Sequence, residues 1–335
     1  MRVGVVGLGA VGSIFFNRLL HHINPLNIAG AKSANRVFAL VKPQHLPRLE
    51  SVALYERGQP DPILHVPVRT PPNALALTTG ADKRVTDPLD VVFIAVKSND
   101  TLDVAQQLAA SPLIGKNSLL ISLQNGLGNV QTLRETLATE NVLHGVTYMG
   151  GQCISPGHVI LGGQGSTILQ GADDLSDLQQ LHLDRLCKLL DAAQLHTTVV
   201  NSSDVQSVIW TKLLVNAGIN PLASILDRPN LCVTHGDSNR YIVESVVNEV
   251  AAVAAAEGIS LQLHGKSPLA YTLDVATATA TNVCSMLHDI RARKPTEIGA
   301  INEMVVYYGQ RHGIPTPTNQ LLVHLVRGLE SRFAA

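Results

Sequence analysis

Over the first two hundred residues, short apolar runs alternate with stretches of helical spacing. Residues 3–6 form a small β-branched run that ends in glycine, and residues 11–22 then place apolar side chains at helical intervals. Further strand-like runs stand at 37–41, 91–96, 119–123, 142–148 and 196–200, with helical patterns at 101–110, 130–138 and 178–194. These runs are apolar throughout rather than alternating, as a parallel sheet covered on both faces requires. The interleaved helices supply its right-handed crossovers. Residues 24–35, rich in Asn, Gly and Ala, read as a long loop. Residues 157–171 hold two β-branched runs around Gly162 and Gly163 and read as an antiparallel hairpin appended to the sheet.

The pattern changes near residue 202. From there, helical periodicity dominates at 204–219, 239–257, 270–289, 296–311 and 319–332, with Gly258 and Gly313 where residues just past a helix end are expected. The predicted fold class is α/β: an N-terminal Rossmann-type, doubly wound, mainly parallel sheet over 1–201, followed by an all-helical domain over 202–335. A length of 335 residues suits two domains, and 45% hydrophobic residues suffice for two cores. A net charge of -1, no basic run and only 4% aromatic residues give no footprint for nucleic acid. Cys153, Cys187, Cys232 and Cys284 form no CxxC pair and have no His cluster with metal-ligand spacing nearby, so no metal site is expected. With no secretory pattern evident and no uninterrupted apolar stretch of roughly 18 residues, the expectation is a cytoplasmic protein that does not span a membrane.

Candidate chemistry begins at Gly7-Leu8-Gly9-Ala10-Val11-Gly12, which fits GxGxxG between a buried strand and a helix. In that context the first glycine permits the tight turn, the second lets backbone approach a pyrophosphate, and the third lets helix and strand pack closely. The helix N-terminus then faces the anion. A purely structural turn is the alternative. After the second strand, where an Asp or Glu would bind a ribose 2′-hydroxyl, the chain has Lys42, followed by Pro43, Gln44 and His45. A cation there pairs with a 2′-phosphate, which favours NADP; the alternative is a solvated lysine at a loop start. Lys97 ends the third main run and Asn125-Gly126 the fourth, at strand ends where ligands bind in such folds, although Asn125-Gly126 alone also reads as a turn.

In the helical half, Lys212 and Asn216 lie four residues apart in an otherwise apolar helix, so they share a face and need polar partners. Asn220 continues the row, but Pro221 is expected to end the helix, with Asn220 as an N-cap in the structural alternative. Ser285 and Asp289 share another face. Glu297 is expected in a helix's first turn, where the dipole alone accounts for it; the alternative sets it across a cleft from Lys212.

Taken in order, the glycine loop, Val96-Lys97-Ser98, Gln124-Asn125-Gly126, residues 210–221 and residues 285–302 resemble the ketopantoate reductase family, within the wider 6-phosphogluconate-dehydrogenase-like group. The resemblance spans nearly the whole chain. It implies NADPH-dependent reduction of a small 2-keto acid, with Lys212 as the proton donor and Glu297 as its acidic partner. It further implies that Asn216, Asn220 and Ser285 hold the substrate, that Lys97 touches the cofactor, and that Asn125 contacts cofactor ribose or substrate. The implied partners are the small-molecule substrate and NADP(H), with a homodimer left open. Several positions depart from the family: Gly299 stands where Asp is usual, Glu303 where Gly is usual, and Lys42 where Arg is common. Two alternatives to the ketopantoate reading follow: a reductase of another 2-keto acid or imine, and a non-catalytic NADP-binding regulator.

Overall fold

The computed structural model describes residues 1–28, 35–68, 74–76, 87–163, 165–172 and 174–333. The chain forms two compact units. One comprises Met1–Gln124 and Asn129–Ser202; the other comprises Ser203–Ala335 together with Asn125–Gly128. The sequence places one boundary near 202, whereas the chain also sends residues 125–128 into the second unit.

In chain order the first unit contains β1 (Arg2–Val6), α1 (Ala10–Ile28), β2 (Arg36–Val41), β3 (Ser51–Tyr55), β4 (Pro62–Pro67), β5 (Ala74–Ala76), β6 (Val91–Ile94), α2 (Thr101–Ala109), β7 (Leu119–Ser122), α3 (Asn129–Leu137), β8 (Val142–Thr147), β9 (Gly150–Ser155), β10 (His158–Gly163), β11 (Thr167–Gln170), α4 (Asp177–Ala192) and β12 (Thr197–Val200). The main sheet has the order β12-β11-β8-β7-β6-β1-β2-β5. Its pairs are parallel except β11 against β8. Both faces are buried, which is why its central strands are apolar without alternation. Val3, Val5 and Phe93 pack on α1, where Phe15 meets Phe93 edge-to-face with ring centroids 5.2 Å apart. Val6, Val92 and Ile94 pack on the opposite side with Val104 and Leu108 of α2 and Leu133 of α3.

A second sheet, β4-β3-β10-β9, was not expected. The predicted hairpin at 157–171 is corrected by it. Strands β9 and β10 form the hairpin, turning at Pro156-Gly157, where Gly157 holds φ +86. The run after Gly163 instead becomes β11 of the main sheet. Helix α1 fixes that turn: Ser13 Oγ accepts the Gly157 N–H at 3.1 Å, and Asn17 Nδ2 donates to the Gly157 carbonyl at 3.0 Å. The loop expected from residue 24 is also corrected. Buried Leu19, Leu20 and Ile23 extend the helical pattern, and α1 runs to Ile28 past Pro25; residues 29–34 lie outside the described residues.

The second unit is helical throughout its described elements: α5 (Ser202–Leu226), α6 (Asp237–Ala256), α7 (Pro268–Ala278), α8 (Ser285–Arg291), α9 (Asn302–His312) and α10 (Pro317–Glu330). The single helix expected over 270–289 is thus two, with Cys284 capping the second. Trp210, Leu213, Leu214 and Ala217 of α5 form one core with Val243, Val246, Val247 and Val250 of α6, Val305 of α9 and Leu322 and Val326 of α10. Helices α5 and α6 approach closely at Gly218, where a Cβ would lie 2.9 Å from Val247 Cγ1.

Pro221 does not end α5; it lies inside the helix. A proline there removes the hydrogen bond to the carbonyl four residues earlier, that of Ala217. Asn302 Nδ2 donates to that carbonyl at 3.3 Å and also to Asn319 Oδ1 at 2.9 Å. Asn319 Nδ2 in turn donates to Glu249 Oε2 at 2.7 Å and to the Val246 carbonyl at 3.2 Å. The broken ladder is therefore repaired from α9, α10 and α6, and the helix continues.

Candidate active site

In the first unit the glycine loop has the geometry its spacing requires. Gly7 holds φ +87 and donates its N–H to the Leu40 carbonyl at 3.2 Å. A Cβ on Gly12 would fall 1.9 Å from the Gly7 carbonyl oxygen, so α1 can start here only on glycine. A Cβ on Gly9 would meet no atom within 4 Å. The middle glycine thus borders open space while the outer two are packed. Leu8, Ala10 and Val11 complete the turn, with no acidic residue in the first turn of α1. The first N–H groups of a helix lack partners within it, and this arrangement suits an anion such as a pyrophosphate.

Lys42 follows β2 and is half-exposed; its Nζ stands 3.3 Å from Asp100 Oδ1. Lys97 precedes the short 3-10 turn Ser98–Asp100 that leads into α2, and its carbonyl accepts the Asp100 N–H at 2.9 Å. Beyond β7, Gln124 Nε2 donates to Thr101 Oγ1 at 2.6 Å, which fixes the chain just before Asn125.

In the second unit Lys212, Asn216 and Asn220 form one row along α5, spaced i, i+4, i+8, because the helix passes through Pro221. Burial pushes the Lys212 ammonium down from its ordinary 10.5 to about 8, and the Glu297 carboxylate acts in the opposite sense, raising it. Lys212 and Glu297 thus lie near enough for the carboxylate to favour the charged lysine. Glu297 is buried at 4% exposure and precedes α9 instead of occupying its first turn. That corrects the expected placement and removes the helix dipole as a sufficient account of the residue.

The turn carrying Glu297 is held at several points. The Thr296 N–H donates to Glu330 Oε1 at 2.6 Å, and the Ala300 N–H to the Glu297 carbonyl at 3.0 Å. Residues 125–128 lie directly against it. The Leu127 N–H donates to the Ala300 carbonyl at 2.9 Å, and a Cβ on Gly126 (φ +80) would come 2.2 Å from that carbonyl oxygen. The Asn125-Gly126 pair is therefore a close approach, and it sets Asn125 beside the Glu297 turn. The departures at Gly299 and Glu303 are linked in space: a Cβ on Gly299 would lie 3.3 Å from Glu303 Oε2. Glu303 pairs with Arg327 of α10, so a carboxylate one turn further along fills the space a side chain at 299 would take.

Ser285 is the exposed first residue of α8, while Asp289, one turn on, is buried. The Cys284 thiol, just before Ser285, accepts the Leu287 N–H at 3.4 Å and lies 3.7 Å from the Asn220 carbonyl, which ties the start of α8 to the Asn220 end of α5. Sequence reasoning missed Asn230. It is buried, its Nδ2 donates to Thr279 Oγ1 at 3.0 Å, and its Oδ1 is a buried acceptor with no partner in the described structure. Among the described residues no group of three or more His, Cys, Asp or Glu could hold a metal ion.

Comparison with known proteins bears directly on these two constellations. Residues 3–174 match the family described as ketopantoate reductase PanE/ApbA, and residues 204–330 match its C-terminal part, ketopantoate reductase PanE/ApbA C terminal. A curated 2-dehydropantoate 2-reductase from Halobacterium salinarum is 30% identical over 330 residues, 98% of each chain. Among solved structures, a PanE/ApbA family ketopantoate reductase from Ralstonia eutropha is similar at a TM-score of 0.80, 27% identical and covered in full on both sides. D-mandelate dehydrogenase with NADH and anilino(oxo)acetate is similar at 0.81 and 25%, also over the full length of both chains. The two matched regions together take in the glycine turn and the Lys212 and Glu297 positions, so the chain belongs to the ketopantoate reductase PanE/ApbA family.

Proposed function

We propose that this chain is a cytoplasmic oxidoreductase that reduces 2-dehydropantoate to (R)-pantoate with NADPH, a step of pantothenate and coenzyme A biosynthesis. The observation that carries the reading is a lysine set in an apolar helix, pushed down to about 8 by burial and opposed by the carboxylate of Glu297, in a chain of this family. Ketone reduction needs a hydride on carbon and a proton on oxygen. When bound, the reduced nicotinamide supplies the hydride. Lys212, protonated below about pH 8, polarises the carbonyl and delivers its proton to the developing alkoxide. Glu297 favours the charged form of Lys212 and accepts from the substrate hydroxyl. Asn216, Asn220 and Ser285 hold the carboxylate and hydroxyl groups without adding charge. Gly7, Gly9 and Gly12 with the start of α1 hold the pyrophosphate, Lys42 faces the 2′-phosphate, Lys97 touches the cofactor, and Asn125 contacts cofactor ribose or substrate.

Initial rates of NADPH oxidation with 2-dehydropantoate and a panel of other 2-keto acids test the substrate. Lys212→Ala tests the chemistry: turnover is expected to fall by at least about a hundredfold while dinucleotide binding is kept. Persisting turnover would remove Lys212 from the mechanism. A second reading, an aryl-substituted 2-keto acid as substrate, is favoured by the similarity to D-mandelate dehydrogenase. Turnover of phenylglyoxylate without turnover of 2-dehydropantoate would establish it instead.

A further inference from the structure

We infer that Asp100 is a specificity-determining residue for the dinucleotide, one that offsets Lys42 and lets the protein take NADH as well as NADPH. The inference rests on the cofactor part of the proposed function. The strand order β6-β1-β2 sets β1 between the other two. The glycine turn leaves the end of β1, Lys42 follows the end of β2, and Asp100 follows the end of β6. Two strand spacings separate β2 from β6, about 10 Å, and the ion pair Lys42 Nζ to Asp100 Oδ1 at 3.3 Å joins the segments that follow these two strands, on either side of β1.

Three observations make this pair more than a surface contact. Asp100 stands at the N-cap of α2, where an aspartate ordinarily accepts a backbone N–H, yet its side chain makes no capping bond. Both partners are half-exposed, at 47% and 43%, so the pair parts readily for an entering ligand. Moreover, the corner presents both devices by which this fold separates the two cofactors: a carboxylate that accepts from a ribose 2′-hydroxyl, and a cation that pairs with a 2′-phosphate. A 2′-phosphate must take Lys42 from Asp100 and then lie close to a like charge. A 2′-hydroxyl leaves the ion pair intact and donates to Asp100. Lys42 alone therefore predicts strict NADP preference, whereas Lys42 with Asp100 predicts a weak one.

The test is the dissociation constants of NADP+ and NAD+ for the full chain, measured by titration calorimetry at low and high salt, in the natural protein and in Asp100→Asn and Lys42→Met. Asp100→Asn is expected to tighten NADP+ by about fivefold, the scale of an exposed charge pair, and to weaken NAD+, with the NADP+ effect shrinking at high salt. Lys42→Met is expected to weaken NADP+ and leave NAD+ bound. If Asp100→Asn changes neither constant, or changes both by the same factor, the inference is overturned while the reductase reading stands. If the natural protein binds neither dinucleotide, both fall. Binding of both dinucleotides with no turnover of any keto acid removes the reductase reading alone.

Discussion

An ammonium enclosed by apolar side chains loses much of its hydration, and a neighbouring carboxylate returns part of that loss. Lys212 shows both effects, and their balance sets the pH at which it holds a proton. On the proposed role of Lys212 as proton donor, its proton must be present at the start of each turnover, so reduction is expected to fall as pH rises through about 8. Glu297→Gln withdraws the raising influence, so that limb should move to lower pH in a kcat profile; an unmoved limb would show that the carboxylate does not govern the lysine. Stability runs the other way. The folded value lies below the unfolded 10.5, so the unfolded chain binds more protons between about 8 and 10.5, and the contribution of Lys212 grows more favourable as pH rises across that window. Replacing both groups, Lys212→Met with Glu297→Gln, should abolish turnover and cost less stability in urea unfolding than either single replacement, because no uncompensated buried charge is left behind. The lysine was legible in the sequence, since a charge in an apolar helix demands an explanation. For Glu297 the residues alone left two readings open, a first-turn carboxylate explained by the helix dipole and a partner of Lys212, and only the resemblance to the family favoured the second. Its position before α9 takes the dipole explanation away.

Helices misled where a local rule was overridden from a distance. Pro221 reads as a helix end because its lost hydrogen bond is visible in the sequence, while the group that replaces it on the Ala217 carbonyl, Asn302 Nδ2, lies 85 residues beyond Ala217 on another helix. Continuation of α5 keeps Asn220 in register with Lys212 and Asn216, which on the proposed reading is where its consequence for function lies. Asn302→Ala would leave the Ala217 carbonyl and Asn319 Oδ1 without this donor, and removing a buried partner costs about 1–3 kcal/mol per group. The expected result is a loss of about 2–4 kcal/mol in urea unfolding, with KM for the keto acid raised more than kcat is lowered, because Asn220 would shift while Lys212, two turns earlier, would not. Equal loss in both parameters would place the network's influence on Lys212 instead. Strands show the same limit. The central ones were legible because they are buried on both faces, but β3 is a short run buried only at Val52, Ala53 and Leu54, and β4 alternates half-buried and exposed positions up to Val66. The partner of β3 on its other side is β10, about a hundred residues on, and pairing at that range leaves no local signal.

At the scale of the whole chain, the proposed function divides between the two units: the glycine turn of the first would hold the nucleotide, and the second carries Lys212 and Glu297. The glycine turn was fully legible, because three glycines with fixed spacing between strand and helix each answer to a separate steric demand. The assignment of residues 125–128 to the helical unit was not, since it depends on the Ala300 carbonyl meeting Gly126. A dinucleotide that binds only the folded first unit adds RT ln(1 + [L]/Kd) to its stability, about 2.7 kcal/mol at a hundredfold excess over Kd. Scanning calorimetry with NADP+ is therefore expected to shift upward the transition that contains the sheet, while Lys212→Ala leaves the shift intact. Gly12→Ala must displace the Gly7 carbonyl, 1.9 Å from the added methyl, and should lower that same transition without ligand and erase the response to NADP+. A full response in Gly12→Ala would mean that the nucleotide binds elsewhere, and the division of labour between the two units would have to be redrawn.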